Sequence, residues 1–180
     1  MRPRSSWYAI APVVLVAPAS AHAMTYLTVA QAQRQMFPSA SGFADRSVDF
    51  TPAQRKAIAR ASGTSAPHSQ RIYEARDGGG RSGWLIIDQV LGKHEMISYA
   101  LALAPDGAVR SVEILDYRET YGGEIRNPAW RRQFAGKRAG QSLKLGKDIH
   151  NISGATLSSR HVTDGVRRLL VTYQLLLAGG

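Results

Sequence analysis

Residues 71–117, RIYEARDGGGRSGWLIIDQVLGKHEMISYALALAPDGAVRSVEILDY, decide the fold. Apolar and β-branched runs are cut by Asp77-Gly78-Gly79-Gly80, by Gly92 and by Pro105-Asp106-Gly107. Strands are therefore predicted at Arg71–Ala75, Trp84–Leu91, Met96–Ala104 and Val109–Tyr117. Such closely spaced strands, joined by tight turns, pair most readily as an antiparallel meander. In the last of them, Val112, Ile114 and Asp116 share one face, and Glu113, Leu115 and Tyr117 the other.

Downstream, residues 118–151 are polar and glycine-rich, with Trp130 and Phe134 as isolated anchors. A helix follows from about Ser158 to Leu177, because Val162, Val166, Leu169, Leu170, Tyr173 and Leu177 recur at helical spacing on one stripe. Upstream, Thr28-Val29-Ala30-Gln31 is a capping box opening a short helix that stops at Phe37-Pro38. Thr51-Pro52-Ala53-Gln54 repeats the device, with proline at the first helical position, and that helix runs to about Ala61. Ser39–Asp45 and Gly63–His68 read as loops. The predicted class is α+β: an antiparallel sheet packed against a long C-terminal helix, with small helices at the N-terminus.

The 180 residues suffice for one domain with a sizeable core. Cysteine is absent, which excludes disulfides, thiolate metal centres, c-type haem attachment and cysteine nucleophiles. Arg2 and Arg4, the apolar run from Trp7 to Ala17 and the small-x-small site Ala21-His22-Ala23 make a secretory signal peptide, cleaved after Ala23. That apolar run is too short to cross roughly 30 Å of hydrocarbon, and Pro12 and Pro18 interrupt it. The expected organisation is a signal peptide over 1–23, a helical segment over 24–68 and the main domain over 69–180. The formal charge of +10 falls to +8 once Arg2 and Arg4 are removed. In an exported protein that excess suits anionic headgroups, including peripheral membrane association, acidic partner proteins or a phosphate-bearing ligand. No nucleic-acid-binding signature accompanies it, so nucleic acid is rejected as a partner.

Several chemical motifs fail. Gly140–Lys147 is one residue too long for a phosphate loop, and Asp148 stands where a magnesium-holding hydroxyl belongs. His94-Glu95 lacks the second histidine of a zinc-protease helix, and the five histidines show no metal-ligand spacing. No catalytic residue and no metal site is predicted. One segment stands: Asn151-Ile152-Ser153-Gly154-Ala155-Thr156-Leu157-Ser158-Ser159-Arg160, just before the long helix. The first N–H groups of a helix lack internal partners and favour an anion such as phosphate. Gly154 and Ala155 let a backbone come close, while Thr156, Ser158, Ser159 and Arg160 supply donors. On spacing alone, a plain helix cap by Ser158 or Thr156 is the favoured reading of the same residues.

Ser153-Gly154-Ala155-Thr156, followed by Leu157-Ser158-Ser159, resembles the signature of the FMN-binding domain family. That family includes the periplasmic flavin subunits of the sodium-pumping NADH:quinone reductase and of the Rnf complex. Tyr117-Arg118-Glu119-Thr120-Tyr121-Gly122-Gly123-Glu124-Ile125 is similar to its second conserved stretch, and Gln133-Phe134-Ala135-Gly136-Lys137 follows at family-like spacing. The similarity covers about Gly83 to Leu177, and Met36-Phe37-Pro38 resembles stand-alone exported members.

The resemblance implies FMN as cofactor, joined by a dedicated flavin transferase through its phosphate to the hydroxyl of Thr156. It implies that Ser153, Gly154, Ala155, Leu157, Ser158 and Ser159 surround that attachment, and that Glu119, Thr120, Gly122 and Gly123 lie against the flavin. It further implies an electron-transfer flavoprotein in the periplasm, at the outer face of the inner membrane, serving a membrane-bound or periplasmic redox partner. A flavin-dependent reductase of a small extracellular substrate and a non-redox accessory module are the alternatives. The sequence departs from the family pattern at His150, where Asp is usual, and at Tyr121, where Pro is common. Asp148, His150 and Asn151 are candidates to share the missing acid's task, and non-covalent FMN is the alternative to the ester. Trp84, Tyr99 and Tyr117 are expected in the core rather than stacked on flavin, and His94 on an exposed turn. Trp130 is open between anchoring its loop and lining the flavin. The basic run Arg126, Arg131, Arg132, Lys137, Arg138, Lys144 and Lys147 is open between a solvated face and a docking surface.

Overall fold

A computed structural model describes residues 24–25 and 27–179; the expected signal peptide lies outside the described residues. The elements in chain order are β1 (Met24–Thr25), α1 (Val29–Met36), β2 (Gly42–Asp45), β3 (Val48–Asp49), α2 (Pro52–Ser62), β4 (Ser69–Asp77), β5 (Gly80–Leu91), β6 (Met96–Leu103), β7 (Val109–Tyr117), α3 (Pro128–Arg131) and α4 (Thr156–Leu176). Both capping boxes form: Thr28 accepts from Gln31 N–H and Thr51 from Gln54 N–H, with each glutamine side chain closing back on the cap backbone.

β4 to β7 make the expected antiparallel meander, and the sheet order is β1-β7-β6-β5-β4-β2, with β3 paired to β4. Strands β2 and β3 occupy sequence read as loop or left unassigned. They are too short and polar to announce themselves by alternation, and form because β4 offers them a free edge.

One face of the sheet packs on α4 through Ile72, Ile86, Ile97, Leu101, Val112, Val166 and Leu169, all nearly or wholly buried. At roughly 1.5–3 kcal/mol for each fully buried aliphatic side chain, this layer dominates the fold. The helix comes unusually close at Gly165, where a β-carbon would stand 2.3 Å from Tyr99 Oη. Beneath it lies a buried polar knot. Tyr99 O–H donates to Asp88 Oδ2 at 2.5 Å, and Arg168 of α4 donates to the same oxygen at 2.6 Å. Burial, reinforced by the Asp88 carboxylate, pushes the Tyr99 phenol well above its ordinary range. The opposite face carries Leu85, Ala100, Ala102 and Leu115 and is covered by α1 through Ala32 and Met36. Helix α2 packs on α4 through Ile58 and Val171.

The face assignment in β7 needs correcting at its end. Ile114 pairs with Tyr99 and Asp116 with Ser98, so Leu115 is an extra residue bulged out of the ladder. The bulge reverses the alternation beyond it: Tyr117 joins Val112 and Ile114 on the α4 side, leaving Asp116 on the other. That reversal aims Tyr117 at the segment that follows.

Candidate functional site

α4 begins at Thr156, two residues earlier than the apolar stripe suggests, and neither Thr156 nor Ser158 caps it. The cap position is Ala155, which makes no side-chain cap hydrogen bond. A turn closed by Ala155 N–H donating to Ile152 O at 3.0 Å, with Gly154 at φ +81°, delivers the chain to that start. The 21-residue helix thus opens with its positive end unanswered by a side chain.

The turn is braced from within. Ser159 is fully buried, and its single hydroxyl proton is shared between Ala155 O at 2.9 Å and Asn151 Oδ1 at 3.0 Å. Asn151 Nδ2 then donates to Thr156 Oγ1 at 3.1 Å. The Thr156 side chain is exposed, its oxygen oriented by Asn151 and its own proton free to be given up.

The second segment meets this turn directly. Gly122 has φ +86°, and a β-carbon there would lie 2.6 Å from Ala155 Cβ and 2.7 Å from Tyr117 Oη. Tyr117 O–H donates to Tyr121 O at 2.5 Å, tying the end of β7 to the segment it leads into. Burial raises the Tyr117 phenol above its ordinary value, against the opposing pull of the Ser158 hydroxyl. Glu119 reaches the β5–β6 turn, where Oε1 accepts His94 N–H at 2.6 Å and Glu95 N–H at 3.1 Å.

Between the two segments lies a cavity of about 560 Å³, lined by Glu119, Thr120, Tyr121, Lys93 and His94 on one side and residues 154–158 on the other. Its size falls within the roughly 300–1,000 Å³ typical of small-molecule sites. Of the residues expected at the site, Glu119, Thr120, Gly154, Ala155, Thr156, Leu157 and Ser158 line it. Gly122, Gly123, Ser153 and Ser159 do not. Gly122 packs the segments together, Gly123 opens a short 3₁₀ turn, Ser153 sits exposed in the turn, and Ser159 braces it.

Other candidates are placed elsewhere. Trp84 and Tyr99 are core residues. Trp130 anchors its loop: it is buried edge-on against Phe134, and its indole N–H donates to His150 O at 2.8 Å. Asp148 is engaged by its own turn, accepting from Ser142 O–H and Lys144 N–H, which holds its carboxyl below the usual range. In the basic run, Arg131 is bound to Glu113 and Val112 O, and Arg138 to Asp106. Lys93 carries no signal in the sequence, and His94 is an exposed turn residue that nevertheless faces the cavity. Only the folding of β5 and β6 into a hairpin reveals which loop opposes the helix start.

These residues suit a flavin phosphate: an uncapped helix terminus for the anion, a presented hydroxyl, and a glycine where the two segments touch. The chain is 26% identical over 165 residues to one of the subunits of the Na(+)-translocating ferredoxin:NAD(+) oxidoreductase complex of Acetobacterium woodii, covering 85% of this chain and 77% of that protein. It is 34% identical over 134 residues to one of the subunits of the Na(+)-translocating NADH-quinone reductase of Yersinia pestis, covering 64% of this chain and 49% of that protein, about half its length. Its fold matches the crystal structure of Shewanella oneidensis NqrC with a TM-score of 0.54 at 18% identity, over 78% of this chain and 84% of that one. Residues 92–171, which contain both segments and every residue lining the cavity, match the FMN-binding domain family, and FMN is the cofactor that this match and the two relatives support.

Proposed function

We propose that this protein is an exported electron carrier whose FMN is esterified through its phosphate to the Thr156 hydroxyl, and which passes electrons between membrane-bound or periplasmic redox partners. The observation that carries the reading is the position of Thr156. Its exposed hydroxyl stands at the uncapped start of α4, on a cavity that both family segments line. Similarity to members of two redox complexes supports electron transfer as the use made of the flavin. Attachment falls to a flavin transferase, and the segment over residues 1–23 provides export.

Bound flavin supplies reversible one- and two-electron chemistry, and the protein supplies position and electrostatics. The first N–H groups of α4 and its dipole stabilise the phosphate. Asn151 orients the Thr156 oxygen for attachment. Gly122 and Ala155 close the floor by direct contact. Glu119, Thr120 and the β5–β6 turn form the opposite wall and exclude part of the solvent. The ester leaves the ring itself free, so a tethered cofactor keeps its redox chemistry yet cannot diffuse away.

Co-production with a flavin transferase tests this reading. The purified protein is expected to stay yellow through denaturation, to bleach with a chemical reductant and to recover its colour on adding a quinone, without turning over a small substrate. Colourless protein overturns the reading. Steady turnover of a small extracellular substrate would replace the carrier with a reductase.

A further inference from the structure

Facing the start of α4 across the cavity, the β5–β6 turn presents Lys93 and His94, which belong to neither family-like segment. The hairpin alone does not hold this turn. Gly92 N–H donates to Glu95 O at 2.8 Å, and Glu119 Oε1, from the far side of the sheet's end, takes the N–H groups of both His94 and Glu95. The carboxylate sits so close that a β-carbon on Gly92 would stand 2.4 Å from Oε1. Partial burial works against ionising Glu119, but the turn's N–H groups outweigh it and hold the carboxyl below the usual range. The anion is thus engaged by the backbone of the turn, and Lys93 is among the residues that line the cavity.

We infer that Glu119 is a positioning residue, fixing the turn so that Lys93 faces the flavin and raises its reduction potential. The inference rests on FMN occupying this cavity, as proposed above. Two electrons entering the ring add negative charge unless two protons follow, so a fixed cation favours the reduced form. A cation on a loose turn is averaged over many positions and screened by water, whereas a clamped one acts at a constant distance. The direction of the Glu119 effect separates the two roles this carboxylate could play. Acting directly on the flavin, its negative charge lowers the potential and its removal raises it. Acting through the turn, its removal lowers the potential by releasing Lys93.

The test is the midpoint potential of holo-protein, co-produced with flavin transferase and titrated against a reference dye, with intact mass read on the same samples. Lys93→Gln is expected to lower the reduced-to-oxidised ratio at a fixed dye potential about tenfold, about 30 mV for a two-electron couple, and Lys93→Arg to restore it. Glu119→Gln is expected to shift the ratio in the same direction, and to lower it no further once Lys93 is already Gln. An unchanged potential in Lys93→Gln, or a raised one in Glu119→Gln, overturns the inference while mass still shows flavin in place. Absence of flavin from the wild-type protein overturns the underlying reading instead. If Glu119→Gln does not load, Glu119→Asp, a carboxylate one methylene short of the turn, replaces it: a lowered potential supports the inference, and an unchanged or raised one overturns it.

Discussion

Gly122 lies against Ala155 so closely that a β-carbon on the glycine would stand 2.6 Å from that of the alanine. This contact joins two segments more than thirty positions apart in the sequence into one floor. Gly122→Ala adds that clash to the strain of a positive φ, which alone costs about 1–2 kcal/mol. Thermal unfolding is expected at least about 2–4 °C lower, with flavin loading reduced. Gly154→Ala, at φ +81° with open space around it, carries the strain without the clash and should load better than Gly122→Ala.

Gly165 permits the close approach of α4 to the sheet. Gly165→Ala drives a methyl group into Tyr99 Oη, 2.3 Å away, and Val90 Cγ1, 3.0 Å away. Overpacking of this kind costs about 1–3 kcal/mol, measurable in urea. Tyr99→Phe removes the clashing oxygen, so the double variant should be more stable than the sum of the single losses allows.

Glu74 gives the protein a pH dependence. Arg46 and Arg76 donate to it at 2.9 and 3.0 Å, and Arg81 lies at 3.4 Å. Hydrogen bonds from Arg76 and then Arg46 bring its pKa from 4.5 to about 2, against the opposing effect of burial. A carboxyl depressed on folding contributes stability above its unfolded pKa and loses it as pH falls through the folded one. Wild type should lose up to about 3 kcal/mol between about pH 5 and pH 2 through this group. The figure is an upper one, because two of the arginines are half exposed. Glu74→Gln should lack that portion of the acid loss in parallel urea titrations.

Asn151 bonds both Thr156 and Ser159. Asn151→Ala is expected to slow flavin attachment by roughly five- to tenfold, equivalent to about 1–1.4 kcal/mol for one hydrogen bond, and to leave thermal unfolding nearly unchanged. Asp148→Asn should attach flavin at the wild-type rate, since that carboxylate serves its own turn. A time course of intact mass with purified transferase distinguishes them.

Much of this architecture is legible in the chain. The meander, both capping boxes and the long helix follow from periodicity and turn residues, which are local signals. Alternation puts Tyr117 on the wrong face because one bulged residue, Leu115, reverses a pattern that nothing in its own sequence interrupts. β2 escapes notice because Gly42–Asp45 becomes a strand only when β4 supplies a partner. At the site, both segments can be recognised, but not the residues that face them. Lys93 and His94 enter through hairpin geometry, and Trp130 leaves the flavin question because its indole finds His150 O. Long-range pairing, not composition, decides these positions.

Attachment at Thr156 is the claim on which the account turns, and intact mass tests it most directly. Wild-type protein co-produced with a flavin transferase should gain one FMN less one water, Thr156→Ser should gain the same, and Thr156→Val should gain nothing while unfolding at a similar temperature. Equal modification of Thr156→Val, or an unmodified wild type, would contradict it.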